Sequence, residues 1–398
     1  MKIGVITFHF VPNQGAVLQC YAIQTFLQRL GHDVKVIDYR PKYHTIRYSD
    51  WKNPFMYAAW YYKRFRKSGI IKCVEATILA FIRACQMDLD GRDKVRNRYF
   101  ESFVKKNLNL TDTYYTLEDL RSSCTEFDVI ICGSDQIWNT SLLNQEFDAA
   151  YFIDFGGANT RKIAYAVSIG NIPPESEMSK LRRLCAGLSA VSLREYNEDI
   201  INAIGRNVHI CIDPALLLDK DVYELVEAPA TAPPPYIFVF GFETTDTMLS
   251  AVRETVERSG LSIINGSPDR VKITGNVENI RDYGPDQFLT FIKNASIVVT
   301  NSFHGTVFSI LYEKKFVTVP HSSRGNRMTQ LLADIGLESC LWGHELFHMD
   351  EDINYQKIHE RLSLLRSQSI AYLYAAISGK KGEEIENNEK SSGGDNLM

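Results

Sequence analysis

The chain has 398 residues, 45% hydrophobic and 23% charged, with 44 Lys and Arg against 48 Asp and Glu for a net charge of −4. These are the proportions of a globular protein; the near-balanced charge offers nucleic acid no bulk field, and the length exceeds what one core holds, so two domains are expected. No apolar window approaches the roughly 20 residues of a membrane-spanning helix, and Met1-Lys2-Ile3-Gly4-Val5-Ile6-Thr7-Phe8 is not a secretory leader, so a cytoplasmic protein is expected.

Residues 2–8 form a short β-rich run. A loop with Pro12 and Gly15 follows, and then apolar residues at helical spacing over 16–30, stopped by Gly31. Residues 33–39 read as a second strand, so the first 39 residues carry the βαβ unit of a parallel sheet. Further strands are expected at 127–132, 162–169 and 208–212. The proline-rich stretch 228–235 then reads as a stiff connector between domains 1–227 and 236–378. Beyond it the alternation restarts, with strands at 236–240, 261–264 and 297–300 and helices at 246–258 and 286–294. A last helix covers 354–378, and residues 379–398 carry too little apolar content to fold. The eight cysteines are scattered with no pair at metal or redox spacing, which makes them reduced, mostly buried thiols and leaves no metal site to expect.

Residues 40–72 depart from this alternation. Nine basic residues face a single acid, Asp50, and nine aromatic rings are interleaved among them. Cations with Trp and Tyr suit an anionic membrane surface; a helical insertion, about 40–110, packed by its own rings suits the same residues.

Four stretches of polar residues follow predicted strands. Asn301-Ser302-Phe303-His304-Gly305-Thr306 lies between the strand 297–300 and an apolar helix. In parallel α/β domains ligands bind at such places, where helix amides and their partial positive charge attract anions. Asn301, Ser302 and Thr306 are capping types, and Gly305 would let a ligand approach the backbone. His304 there is either a general acid, since imidazole titrates near neutrality, or a buried ring satisfied by a carbonyl. The other three stretches are His9-Phe10-Val11-Pro12-Asn13-Gln14-Gly15, Gly133-Ser134-Asp135-Gln136-Ile137-Trp138-Asn139 and Val191-Ser192-Leu193-Arg194-Glu195. Asp135 is a candidate base for a sugar hydroxyl and Trp138 a platform for a sugar ring. Neither G-x-G-x-x-G nor G-x-x-x-x-G-K is present.

Taken together, Asn13-Gln14-Gly15-Ala16, Gly133-Ser134-Asp135-Gln136, Tyr165-Ala166-Val167-Ser168, Ser192-Leu193-Arg194-Glu195, Asp213-Pro214-Ala215-Leu216 and Asn301-Ser302-Phe303-His304-Gly305 resemble the polysaccharide pyruvyl transferase family. The resemblance implies two Rossmann-like α/β domains facing a cleft, as in GT-B enzymes. It also implies transfer of pyruvate from phosphoenolpyruvate to a sugar as a ketal, with neither metal nor organic cofactor. His304 would then be the proton donor, and Asp135 would act beside it. Arg194, Ser302, Gly305 and Thr306 would hold the donor, and Asn13, Gln14, Gly15, Gln136 and Trp138 the acceptor. Family members carry an arginine two residues before this histidine, where this chain has Ser302; Arg324 and Arg327 are the candidates to replace its charge. The acceptor expected is a sugar of a capsule or exopolysaccharide precursor, lipid-linked if the basic insertion meets the membrane's inner face. Two other functions fit the same sequence: a glycosyltransferase using a nucleotide sugar, and a non-catalytic sugar-binding or scaffolding subunit.

Overall fold

The computed structural model describes residues 1–44, 55, 58–59, 61–62, 70–86, 92–143, 145–229, 235–268, 273, 275–322, 325–348 and 352–379. Most of the basic aromatic segment, the middle of the proline-rich connector, Arg324 and the tail from 380 lie outside these residues.

The predicted βαβ unit is present. β1 (Lys2–Ile6) and β2 (Asp33–Tyr39) flank α1 (Gln14–Arg29) and pair in parallel with Lys2 opposite Asp33. Asn13 starts α1 by accepting the Ala16 amide at 3.1 Å, satisfying one of the orphan donors of the first turn. Two helices follow, α2 (Ile70–Gln86) and α3 (Arg92–Asn107), and then β3 (Leu110–Tyr114), which pairs with β2. That strand was not expected. Its sequence, Leu-Thr-Asp-Thr-Tyr, shows a half-exposed edge rather than an apolar run. β4 (Val129–Cys132), β5 (Arg161–Val167), β6 (Ala190–Leu193) and β7 (His209–Ile210) complete a seven-stranded parallel sheet in the order 3-2-1-4-5-6-7.

The second sheet repeats the plan with β8 (Tyr236–Phe240), α4 (Asp246–Ser259), β9 (Ser262–Asn265), β10 (Val277–Asn279), α5 (Pro285–Asn294), β11 (Ile297–Thr300), α6 (Phe303–Leu311) and β12 (Lys315–Thr318). Its order is 10-9-8-11-12, again all parallel. The chain therefore holds two Rossmann-like α/β units. β4, β8 and β11 are buried along their whole length, which is why they read as unbroken apolar runs.

One apolar cluster runs through both units, with the Tyr223 ring 6.3 Å from Tyr21 on α1 and 5.0 Å from Phe308 on α6. α7 (Asn326–Ile335) and α8 (Tyr355–Ser378) finish the described chain. Early in α8, the Tyr355 hydroxyl donates to the Lys314 carbonyl; late in it, the Tyr372 hydroxyl reaches the Ala164 carbonyl of β5. The helix expected to close the second domain thus also braces the first sheet.

In both sheets the strand order reverses beside the first strand, between β1 and β4 and between β8 and β11. Crevices at the carboxyl ends of strands form at these reversals. The helix starts carrying Gly15 and His304 and the loop carrying Ser134 all follow strands that end there.

Candidate active site

His304 occupies the second position of α6, which Ser302 opens by accepting the Gly305 amide at 3.3 Å. The helix start fixes where the ring points. Its Nε2 lies 3.4 Å from Asp213 Oδ2, and 9% of the side chain reaches solvent. On its other edge the ring meets the first turn of α1: a Cβ built on Gly15 would fall 1.9 Å from His304 Nδ1. No side chain larger than hydrogen fits there. The close approach of two helix starts, one from each sheet, therefore explains the glycine at 15.

Asp213 follows β7 and is fully buried. Its Oδ2 accepts Arg194 Nη1 at 2.5 Å and the Ser134 hydroxyl at 3.3 Å, and its Oδ1 accepts the Ala215 amide at 2.9 Å. Burial alone would raise this carboxyl's pKa, but His304, Arg194 and the Ala215 amide together hold it well below the usual carboxylate range. Asp213 is thus an anion at every pH near neutrality. Its contribution to stability is complete above the unfolded value of about 3.9 and is lost as pH falls through the depressed native value. The carboxylate lies within ion-pair distance of the ring, while His304 Nε2 makes no hydrogen bond among the described residues.

Arg194 follows β6 with its side chain 2% exposed. Its Nε is 3.8 Å from Glu195 Oε2, and its Nη2 finds no hydrogen-bond partner among the described residues. The Phe303 ring lies 4.5 Å from its guanidinium carbon, and the Arg327 guanidinium approaches the same ring at 5.3 Å. Among the described residues the amides of Gln14, Gly15, Phe303 and His304 also have no partner, so each helix start presents two donors.

A cavity of about 550 Å³ opens next to this group, lined from the first sheet's side by Asn171, Glu195 and Asn197 and from the second by His321, Ser322 and Arg327. Its volume suits a small-molecule site. His304 does not line it. The ring connects to its wall through Asp213, Arg194 and Glu195. Glu195 Oε1 accepts Ser168 Oγ at 2.8 Å and the amides of Ile169 and Gly170 at 3.1 and 3.3 Å, fixing the loop that forms one rim.

The predicted residues divide. His304, Gly15, Gln14, Asn13 and Arg194 come together, and Arg327 borders the cavity. Asp135 is half-buried after β4, its Oδ1 accepting the Gln136 amide at 2.7 Å. The Gln136 side chain is buried and accepts Asn139 Nδ2 at 2.7 Å, so its carbonyl is committed within the loop. Trp138 corrects the expectation of a sugar platform: it is fully buried, stacked on Phe152 at 4.4 Å, with Nε1 donating to the Tyr151 carbonyl. Gly305 is corrected too. The atom that would crowd its Cβ is Thr300 Oγ1 at 2.2 Å, so the closeness serves the fold and not a ligand. The hydroxyl of Thr306, also fully buried, lies 3.2 Å from the Ser302 carbonyl and 2.9 Å from Thr318 Oγ1, and the Ser302 amide is taken by Thr300 Oγ1. The Thr306 hydroxyl and the Ser302 amide are thus committed within the fold, while the Ser302 hydroxyl only accepts, from the Gly305 amide. His9, in the first of the polar stretches, is buried between Asp38 at 2.8 Å and the Thr7 carbonyl at 3.1 Å, a structural role.

Sequence reasoning passed over Asp213, Ser134 and Glu195 as site residues. Asp213 had a signal: an acid ending an apolar run and heading Pro-Ala-Leu-Leu, at the carboxyl end of a predicted strand. Ser134 and Glu195 had only their neighbours.

A family model described as polysaccharide pyruvyl transferase matches residues 13–323. No curated protein matches. Similar solved structures include a protein of Listeria monocytogenes described as a UDP-N-acetylglucosamine 2-epimerase, with 10% identity, 96% of this chain and 98% of that one covered, and a TM-score of 0.48. The UDP-GlcNAc 2-epimerase of Methanocaldococcus jannaschii has 13% identity, 92% and 93% coverage and a TM-score of 0.42. The glycosyltransferase SnogD of Streptomyces nogalater has 11%, 93% and 94%, and 0.36.

Proposed function

The chain belongs to the polysaccharide pyruvyl transferase family, and on that premise we propose that it moves the pyruvyl group of phosphoenolpyruvate onto two hydroxyls of a sugar as a ketal, with no cofactor. The observation that carries this reading is the His304 ring held by Asp213 between two helix starts with unpartnered amides. A donor bearing both phosphate and carboxylate matches two such amide pairs and the open Nη2 of Arg194. Arg327, stacked on Phe303, supplies the charge that Ser302 lacks.

In the proposed reaction His304 gives its proton to the methylene carbon of the donor, and the central carbon becomes electrophilic. A sugar hydroxyl attacks that carbon and loses its proton to Asp135. A second hydroxyl closes the ring as the carbon–oxygen bond to phosphate breaks, and its proton leaves with the phosphate. Asp213, beside the ring, keeps the histidine oriented between turnovers. The acceptor sits in the cavity between Glu195 and Arg327. It is a sugar of a capsule or exopolysaccharide precursor carried on lipid.

The purified protein, given phosphoenolpyruvate and galactose- or mannose-type acceptors, is expected to release one phosphate for each ketal formed, and none without acceptor. Consumption of a nucleotide sugar with no phosphate from phosphoenolpyruvate would replace this reading with glycosyl transfer.

A further inference from the structure

We infer that the exposed face of α2 is a docking surface for an anionic lipid bilayer. On this helix Ile71 is 75% exposed, Val74 48%, Ile78 53% and Leu79 53%. Their spacing puts all four on one side of the helix, while Cys73, on the opposite side, is buried. Phe55 and Tyr62, from the segment just before it, are also exposed, at 75% and 57%. A contiguous apolar face left in water marks an interaction site.

Charge identifies what covers it. Residues 40–106 contain sixteen Lys and Arg against six Asp and Glu, a net +10 within a chain whose total is −4. A second copy of so positive a segment would repel the first, which argues against self-association through this region. Nucleic acid would satisfy the cations and leave the leucine and isoleucines in water. A bilayer with anionic headgroups satisfies both, taking apolar side chains at the acyl boundary and cations at the phosphates. No helix among the described residues is long and apolar enough to cross a membrane, so α2 lies along the surface. Glu75, on the same exposed face, keeps it at headgroup depth. The inference rests on the exposure and charge of this region, and stands whether or not the acceptor is lipid-carried.

The test is sedimentation of the full-length protein with phosphatidylcholine vesicles, with and without phosphatidylglycerol. Wild type is expected to bind only vesicles containing phosphatidylglycerol, and less at high salt. Replacing Ile71, Val74, Ile78 and Leu79 together by Ser is expected to lower the partition constant by about 100-fold. Because those side chains are already in water, circular dichroism and phosphate-release activity with a soluble acceptor should stay unchanged. Neutralising Lys63, Arg64, Arg66 and Lys67 is expected to abolish the preference for the anionic lipid. Equal binding by wild type and the quadruple Ser variant, no binding to anionic vesicles, or a wild-type dimer that the Ser variant dissociates would each overturn the proposal.

Discussion

His304→Gln is expected to lower ketal formation by about 10² to 10⁴-fold while leaving donor affinity within a few-fold of wild type, because glutamine keeps a polar side chain of similar length but cannot deliver a proton. Steady-state kinetics with phosphoenolpyruvate and direct donor titration separate the two quantities. Loss of turnover with retained binding assigns the ring to chemistry. Equal loss of both would make it a binding group, and unchanged turnover would remove it from the mechanism. Asp213 gives this result its structural meaning. The ring lies 3.4 Å from a buried carboxylate that also pairs with Arg194 and is packed against Gly15 on its other edge, so its direction is set by its surroundings before the donor arrives.

Gly15→Ala is expected to be nearly as damaging, although it adds only one methyl group at a residue that performs no chemistry. The new carbon would fall 1.9 Å from His304 Nδ1 and 2.2 Å from Cγ, so either the ring rotates away from Asp213 or the two helix starts separate. Forcing a methyl into packed surroundings costs about 1–3 kcal/mol, and moving a catalytic group by about 1 Å can cost about 100-fold in rate. The expected pattern is a folded protein, somewhat lower in melting temperature, with turnover down by about two orders of magnitude. A variant with wild-type turnover would show that the ring does not work from the position described here.

The parts of this arrangement legible in the sequence were those with a one-dimensional signature. Unbroken apolar runs such as Val129–Cys132 and Ile297–Thr300 announced central parallel strands, because both of their faces are covered. Polar stretches after strands placed Gly15 and His304 at sheet ends, and the geometry of a parallel sheet brings such ends together. The misreadings came from contacts that residue types do not show. Trp138 sits among polar residues, yet its ring packs on Phe152 and its nitrogen meets the Tyr151 carbonyl, both in a segment whose course the sequence does not reveal. Gly305 looked open to a ligand because the strand-to-helix turn that brings Thr300, five residues earlier, beneath it depends on backbone geometry and not on residue type. Asp213 and His304 are 91 positions apart, and only the docking of the two sheets makes them neighbours. β3 escaped because an edge strand with one open side needs few apolar residues.

The most direct measurement is the hydrogen content of the product methyl group when the reaction with phosphoenolpyruvate and acceptor is run in deuterium oxide. A proton donated by a solvent-exchanged imidazole to the methylene carbon leaves one deuterium in the methyl of each ketal, and the account predicts that singly labelled product from wild type and almost none from His304→Gln. Singly labelled ketal formed at the wild-type rate by the variant, or no ketal from the wild-type protein with any sugar acceptor, would contradict it.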